Sequence, residues 1–387
     1  MSGERYRLDA LDVPEYATVD LIGDYAVQVI QGDVYTLAEI EEGGGGGIAP
    51  IITGSPSIPA IVESGEEVTI TPAPVTGSPT PVVTYQVLVS DDDGATWATF
   101  GSAFSGTTFT PVYADVYPGE VSVAIRQIAT NSEGTATADS AGAEVILDPA
   151  DLSPVRWIEP RISQMWVERS GQTTLAGSGD PVGEIEDLGS QAANLSAPAD
   201  NNRPALNANL EQLDHDSDDV LLGDGLDALT GIDAYSQVHV GCTLAPSTAF
   251  LGGAQGPGVV YSPGLLRTGS TIALRWYTET SAGSSFVAMS VTGINVSPQV
   301  LCGTLNGSTG ARRFYHDDWV TPISDTTIAT GTIDCGTSGG NYGISARPQS
   351  LGFNAQNEFR LDMIFGVELD ATERAQLRRY IEYYHEL

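Results

Sequence analysis

The sequence contains no lysine, and this absence determines the charge of the chain. All 16 basic residues are arginine, they stand against 50 acidic residues, and the formal net charge is −34. A chain this acidic is repelled by the phosphates of nucleic acids and by anionic membrane surfaces. We therefore expect neither nucleic acid nor a membrane among its partners.

Cysteines and long apolar runs are also scarce. Three cysteines, at 242, 302 and 335, are too few for a disulfide framework and form no Cys-x-x-Cys pair, which predicts reduced, buried thiols. The chain has no apolar run of about 18 residues, and its first residues lack the apolar stretch of a signal peptide. These absences predict synthesis in the cytoplasm and no membrane insertion.

Residues that favour turns and strands are abundant. The chain has 44 glycines and 22 prolines, many Thr, Val and Ser residues, and few long helical patterns. This composition predicts an all-β protein rich in turns. A length of 387 residues is sufficient for two or three domains, each with its own core.

The end of the sequence predicts a strand followed by a helix. Residues 359–367 alternate in the manner of a strand that is buried on at least one face. Asp370 and Glu373 then have the spacing of a helix-capping pair. The helix after them carries one apolar stripe, formed by Leu377, Tyr380, Ile381 and Tyr384. An amphipathic helix in this position is expected to lie over a β-sandwich.

The first 42 residues predict a small β-hairpin module with two strands about the turn Gln31-Gly-Asp33. Such a hairpin is too small to be stable alone, so it is expected to dock on another copy or another protein. Residues 21–40, which include the turn and Tyr35-Thr-Leu-Ala38, resemble the N-terminal module of tailed-phage fibre and spike proteins. The resemblance implies attachment to a virion, often as a trimer; an ordinary leading hairpin is the alternative. The implied docking residues are Tyr25, Val27, Val29, Tyr35, Leu37 and Ile40.

Five consecutive glycines, 43–47, then predict a flexible linker. The following residues, to 148, predict an Ig-like β-sandwich with strands at 67–71, 82–89, 121–126 and 135–146. The segments 77–87 and 131–134 resemble the Ig-like repeats of bacterial and phage proteins, with Val87 in place of the family's tryptophan. The acidic turn Asp91-Asp-Asp93 could bind Ca²⁺, although an acidic turn tip without metal is the commoner case.

The remaining residues contain four ordered segments that resemble concanavalin A-like, or laminin-G-type, jelly rolls of phage structural proteins. The segments are 164–171, 181–189, 199–206 and 213–222, and residues 369–380 fit the family's closing motif. Glu186 departs from the family's tryptophan, and Leu213 and His215 depart from its Phe and Gly. The expected domains are residues 1–42 for docking and oligomerisation, 43–50 for the linker, 51–148 for the Ig-like sandwich and 149–387 for a lectin- or glucanase-type jelly roll.

Two polar clusters are candidate binding sites. An aromatic ring beside carboxylates is typical of a sugar-binding loop, because a pyranose can stack on the ring while the acids bind its hydroxyls. The residues with this pattern are His316, Asp317, Asp318 and Trp319; a solvated hairpin end with one packed tryptophan is the alternative. Near His215, a weak metal site is suggested by Asp214, Asp216 and Asp218, although the jelly-roll pattern uses such acids to cap a turn.

No common catalytic motif is present, and no strand has the spaced carboxylates of a jelly-roll glycoside hydrolase. The resemblances together predict a protein that is not an enzyme and needs no cofactor. They imply a homotrimeric surface fibre, head spike or capsid decoration protein of a tailed phage or phage-like particle. It would contact other virion proteins and a host cell-surface glycan. The alternatives are a polysaccharide-degrading enzyme with an accessory Ig-like domain and a bacterial surface adhesin, the latter weakened by the missing export signal.

Overall fold

The computed structural model describes residues 18–22, 25–30, 33–39, 47–90, 92, 94–112, 122–216, 218–224, 231–243, 249–256, 260–268, 273–280, 283–290, 299–316, 319–327, 330–331, 341–344, 357–385 and 387. Strands dominate these residues, and one α-helix lies near the C-terminus, which confirms the predicted all-β class. Among the described residues, no helix is long and apolar enough to cross a membrane.

The N-terminal segment forms a three-stranded antiparallel sheet, whereas the sequence predicted two strands. The strands are β1 (Thr18–Ile22), β2 (Tyr25–Ile30) and β3 (Asp33–Glu39), with β2 in the centre. Residues 18–22 add the third strand by pairing along the free edge of β2. Of the predicted docking residues, Tyr25, Val27 and Val29 lie on β2 and Tyr35 and Leu37 on β3. Ile40 lies outside the described residues.

The next unit is a β-sandwich with small accessory sheets. Its strands are β4 (Ile48–Ile52), β5 (Ile61–Glu63), β6 (Val68–Thr69), β7 (Val75–Ser78), β8 (Val82–Ser90), β9 (Ala98–Phe104), β10 (Thr108–Phe109), β11 (Ser122–Asn131), β12 (Gly134–Asp139) and β13 (Ala143–Ile146). The largest sheet has the order β5-β13-β11-β8-β9, with β12 also beside β11. The strand predicted at 135–146 is therefore two strands. The segment assigned to the linker also ends in strand, because β4 begins at Ile48 and pairs with β7.

Two large sheets form the C-terminal unit. The first contains, in order, β18 (Ala205–Leu206), β19 (Leu213–His215), β30 (Asn357–Phe365), β21 (Ala234–Thr243), β26 (Gln299–Asn306), β27 (Ala311–His316) and β28 (Ser324–Thr327), with β14 (Arg156–Ile158) also paired to β30. The second contains, in order, β15 (Met165–Trp166), β16 (Glu184–Ile185), β17 (Leu195–Ser196), β20 (Leu221–Asp224), β29 (Asn341–Ile344), β22 (Ala249–Gly256), β23 (Val260–Thr268), β24 (Ala273–Thr280) and β25 (Gly283–Ser290).

Strand β30 separates two hydrophobic cores, because successive side chains point to opposite faces of a sheet and a β-bulge where β30 pairs with Val240 and Gly241 shifts this alternation between Phe359 and Leu361. Phe359 and Ile364 belong to the core that also includes Tyr342 of the second sheet. Leu361, Met363 and Phe365 belong to the core beneath the helix. These five side chains of β30 are fully buried, so the strand that the sequence predicts to be buried on at least one face is buried on both.

The helix, α1 (Ala371–His385), begins as the sequence predicts. The Asp370 N–H donates to Glu373 Oε2 at 2.8 Å, and the Glu373 N–H donates to Asp370 Oδ1 at 2.9 Å, which is a capping box. The predicted stripe packs inward through Leu377, Tyr380 and Ile381, all of them buried. The structure therefore confirms the capped amphipathic helix that the sequence predicts at this place.

The core beneath α1 continues into the Ig-like unit. Val62, Val123 and Val145 of that unit share one buried cluster with Leu377 and Ile381 of the helix. The connection between the two units is ordered as well: a 3-10 helix, Pro149–Leu152, is capped by Asp148, whose Oδ1 accepts the Ala150 N–H at 2.9 Å. The two units therefore pack through a common apolar interior.

A buried carboxylate, Glu159, organises the polar part of this contact. Its Oε2 accepts the Trp157 indole N–H at 2.9 Å and the Tyr380 hydroxyl at 2.8 Å. Its Oε1 accepts the Arg161 Nε–H at 3.0 Å and lies 3.3 Å from His385 Nε2. We call these residues the Glu159 cluster. It joins the start of the C-terminal unit to the last turns of α1.

Cys302 agrees with the thiol prediction. It is a free cysteine, fully buried on β26 in the core beneath α1. Burial raises the pKa of the Cys302 thiol to about 12, despite the opposing charge of Arg374, so the reactive thiolate is scarce at neutral pH. The side chains of Cys242 and Cys335 lie outside the described residues.

Candidate ligand-binding cleft

The structure places Trp319 in a different setting from the sugar-stacking loop that the sequence predicts. Its side chain is only 2% exposed, within the core beneath α1, and the indole N–H donates to the Val300 carbonyl at 3.3 Å. A buried indole has no open face on which a pyranose could stack. His316 is half-buried at the end of β27, and Asp317 and Asp318 lie outside the described residues.

The predicted metal-site residues do not converge on one point. Asp214, Asp216 and Asp218 are all exposed. Asp214 accepts a hydrogen bond from Gln212 at 2.7 Å. Among the residues that the structure describes, no group of three or more His, Cys, Asp or Glu side chains is arranged to hold a metal ion.

Asp92, from the acidic turn of the Ig-like unit, is part of a turn cap. Its Oδ1 accepts the Thr96 N–H at 2.7 Å and the Ser90 hydroxyl at 2.8 Å. These hydrogen bonds, led by that from the Thr96 backbone, lower the pKa of Asp92. Asp91 and Asp93 lie outside the described residues.

The structure has an open cleft elsewhere in the C-terminal unit. It has a volume of about 490 Å³, within the range of small-ligand sites. The chain lines it where β15 and β17 end, and the 3-10 helix Asp200–Asn202 closes one side. The lining residues are Val167, Glu168, Arg169, Ser170, Ser196, Ala197, Pro198, Asp200 and Arg203.

Backbone contacts fix the floor and walls of this cleft. The Val167 N–H donates to the Thr174 carbonyl at 3.0 Å, and the Val167 carbonyl accepts from Arg203 Nη1 at 2.9 Å. Gly183 lies directly behind this wall, where the Cβ of any other residue would collide with the backbone of Val167 and Glu168. The cleft is therefore held by the sheet, as a preorganised binding site requires.

An incompletely bonded ion pair lies at the rim. Arg169 Nε donates to Asp200 Oδ1 at 2.9 Å, while Arg169 Nη1 donates to the Pro198 carbonyl at 2.8 Å. In contrast, the exposed pair Arg126–Asp139 of the Ig-like unit is bidentate, with two bonds of 2.8 Å. The cleft pair thus keeps an unused carboxylate edge, since Asp200 Oδ2 accepts nothing from the described residues.

Glu168, the other acid of the cleft, is committed to its own loop. Its Oε1 accepts the Thr173 hydroxyl at 2.9 Å, and its Oε2 accepts the Thr174 N–H at 3.0 Å. Hydrogen bonds from Thr174 and Thr173 lower the pKa of Glu168 to about 2. This carboxylate is therefore ionised at any physiological pH, and it shapes the loop that carries Arg169 and Ser170.

A second polar cluster is enclosed between the two sheets. Asp362 is fully buried and accepts hydrogen bonds from the Tyr342 hydroxyl and from the Gln237 side chain, the latter at 3.3 Å. Its Oδ1 also lies 3.2 Å from His239 Nδ1. Burial raises the pKa of Asp362, against the opposing effect of His239. Because these side chains have no solvent-exposed surface, we assign them to the core and not to a ligand site.

The sequence identified the segments of the open cleft but not the cleft itself. In the sequence, residues 164–171 and 199–206 indicate only a jelly roll. Their common signal is an arginine in each, Arg169 and Arg203, in a chain with few cations. That the two approach one another depends on the sheet order, which no local pattern shows.

No protein-family model matches the chain, and no curated protein matches it. Similar solved structures include binding domains of botulinum neurotoxins. The serotype D ligand-binding domain in complex with N-acetylneuraminic acid is 9% identical, with a TM-score of 0.42, over 59% of this chain and 51% of that one. The type C structure, titled for cell entry that depends on two ganglioside molecules, is 13% identical, with a TM-score of 0.41, over 61% and 53%.

The chain spans about half the length of these neurotoxin structures. A third, the DC binding domain in complex with rat synaptotagmin II, has a TM-score of 0.41 and 10% identity over 60% of this chain and 52% of that chain. With TM-scores below 0.5, these likenesses carry no conclusion about the ligand of this chain.

Proposed function

We propose that this chain is a non-enzymatic surface-attachment protein, a fibre, spike or decoration protein of a tailed phage or phage-like particle. In this proposal the N-terminal sheet docks on other virion proteins as a homotrimer, and the C-terminal unit binds a glycan on the host surface. The observation that carries the binding role is the open Arg169–Asp200 pair at the rim of a fixed polar cleft. The phage setting rests on the resemblance of residues 21–40 and of the jelly-roll segments.

The polar groups of the cleft suit a sugar because hydroxyls both donate and accept hydrogen bonds. Asp200 offers an acceptor, and the hydroxyls of Ser170 and Ser196, also in the lining, can serve either role. Among the described residues, neither serine hydroxyl has a hydrogen-bond partner, so both are available to a ligand. Such groups on a rigid scaffold are typical of recognition sites.

The low pKa of Glu168 supports binding over hydrolysis. Glycoside hydrolysis needs one carboxyl group that is protonated at working pH, usually through a raised pKa. The pKa of Glu168 is instead lowered to about 2, and Asp200 is paired with Arg169. This arrangement favours a lectin-like role over the polysaccharide-degrading alternative. A bacterial adhesin would use the same cleft and differ only in where the protein is mounted.

Replacing Arg169 by glutamine is expected to weaken glycan binding about tenfold or more, because hydrogen bonds to charged groups contribute roughly 1.5–3 kcal/mol. The measurement is binding of the full chain to a panel of immobilised bacterial surface polysaccharides. Arg126→Gln is the matched control, since Arg126 is similarly exposed and ion-paired but lies in the Ig-like unit. Equal binding by both variants, or no binding by the unaltered chain, would contradict the proposal.

The oligomer proposal predicts a difference in mass between two chains. We expect the full chain to be a trimer in light scattering and a chain that starts at Ile48 to be a monomer. The reason is that a single sheet must bury its apolar face against another layer, which further copies of the same sheet can supply. A monomeric full chain would remove self-association and leave docking on a different virion protein as the role of this segment.

A further inference from the structure

We infer that the cleft selects an uncharged glycan and binds two adjacent hydroxyls of one sugar ring at the open edge of the Arg169–Asp200 pair. This inference rests on the proposed function, because it names the ligand class of the same site. Three features of the described residues carry it: the charge balance of the cleft, the geometry of the ion pair and the apolar part of the lining.

The charges of the cleft cancel. The lining has two cations, Arg169 and Arg203, and two anions, Glu168 and Asp200. A binding site for acidic sugars would instead need an excess of positive charge.

Arg203 is also engaged by the protein. Its Nε donates to the Asp200 carbonyl at 3.1 Å and its Nη1 donates to the Val167 carbonyl at 2.9 Å. It therefore braces the two walls of the cleft and, like Arg169, keeps only Nη2 unused, so neither guanidinium offers a ligand carboxylate a bidentate fork. The net charge of −34 further disfavours the approach of any polyanion.

The geometry of the rim pair fits a pair of neighbouring hydroxyls. Asp200 uses Oδ1 for Arg169, which leaves Oδ2 as an acceptor, and Arg169 uses Nε and Nη1, which leaves Nη2 as a donor. A vicinal diol can donate one hydrogen bond to the carboxylate and accept one from the guanidinium. The bidentate Arg126–Asp139 pair has no such open edge.

Aliphatic atoms complete the lining. Val167, Ala197 and Pro198 face the cleft beside the polar groups, and no aromatic residue is among the described residues that line it. The C–H face of a pyranose can pack on such atoms by dispersion and loss of apolar surface from water. A saccharide with one polar edge and one apolar face matches this distribution.

The test compares matched neutral and acidic sugars on the full chain. The probes are immobilised glucose, galactose and mannose oligosaccharides and their uronic-acid counterparts, measured at about 0.05 and 0.5 M NaCl. We expect at least one neutral member to bind about tenfold more tightly than its uronic acid, with affinity that salt changes by less than about twofold.

The variant Asp200→Asn tests whether the rim pair binds the neutral sugar, and Asp139→Asn is its control. We expect Asp200→Asn to weaken neutral binding about tenfold and Asp139→Asn to leave it unchanged. Tighter binding of uronic acids that salt suppresses, or equal effects of the two variants, would overturn this inference while the proposed glycan binding stands. If no member of the panel binds, the proposed function itself fails.

Discussion

Replacing Glu159 by alanine is expected to lower the free energy of unfolding by about 3–5 kcal/mol, because it leaves buried charge and hydrogen-bond donors without their partner. The Trp157 indole and the Tyr380 hydroxyl both donate to this carboxylate, which is fully buried. The charge of Arg161 loses its counterion in the same change. Urea denaturation followed by tryptophan fluorescence gives the difference directly.

The comparison variant is Glu382→Gln. Glu382 forms an exposed i,i+4 pair with Arg378 on the same helix, with a bond of 2.9 Å. Exposed pairs of this kind contribute about 0.3–0.5 kcal/mol, so the two substitutions should differ several-fold. A loss of less than about 1 kcal/mol for Glu159→Ala would mean that the Glu159 cluster does not hold α1 in place.

The stability that the Glu159 cluster contributes is also expected to decrease at acidic pH. Burial alone raises the pKa of Glu159, but the nearby His385, together with Arg161 and Tyr380, outweighs it and holds the pKa below its ordinary value of 4.5. A carboxylate with a lowered folded-state pKa contributes stability above its unfolded-state pKa. That contribution is lost as the pH falls through the folded-state value.

A second large effect is expected from His215, which is buried and neutral. Burial lowers the pKa of His215 to about 3 from 6.5, although a hydrogen bond from the ring to the Asp219 carbonyl opposes the shift. Between these two values the unfolded chain binds a proton that the folded chain does not. Stability is therefore fully present above about pH 6.5, and the His215 contribution falls by roughly 3 kcal/mol between pH 7 and pH 4.

The variant that isolates this effect is His215→Leu, an apolar side chain of similar size that carries no proton. In the unaltered chain the His215 ring lies against Phe359, with 6.4 Å between the two ring centroids, so the site is compatible with an apolar side chain. We expect a flatter dependence of unfolding free energy on pH for His215→Leu, measured by denaturant titration across this range. An unchanged slope in His215→Leu would show that the ring is not neutral in the folded state.

The sequence predicts best where interactions are local. The capping pair Asp370 and Glu373 and the apolar stripe of α1 are spaced within one or two helical turns, so the pattern alone gives the start and the buried face. Arg374 does not belong to this apolar stripe, yet it is buried and its guanidinium lies 4.3 Å from the centre of the Tyr315 ring. That contact comes from β27, which is distant along the chain, and no local rule anticipates it.

The candidate sites were harder to predict for the same reason. Trp319 and its acidic neighbours have the composition of a sugar-binding loop, but burial of the indole depends on α1 lying over it. Arg374 Nε donates to the Trp319 carbonyl at 3.4 Å, which holds this segment against the helix. Conversely, Arg169 and Asp200 are 31 positions apart and meet because the loops after β15 and β17 leave the same end of the second sheet.

The common interior of the Ig-like and C-terminal units has a mechanical meaning for the proposed attachment role. If a bound glycan pulled on the cleft, the load would cross the joint beneath α1 before it reached the Ig-like unit. Arg379 reaches Glu144 of β13 at 3.4 Å, and the Ser64 hydroxyl donates to Asp151 at 2.7 Å, so polar contacts flank the apolar joint. Such a joint resists bending, and the direction in which the cleft faces is set by the Ig-like unit. In the proposed attachment role, the glycine linker predicted at residues 43–47 would let this rigid pair of units swivel as one piece, so several clefts on one particle could reach glycans at different spacings.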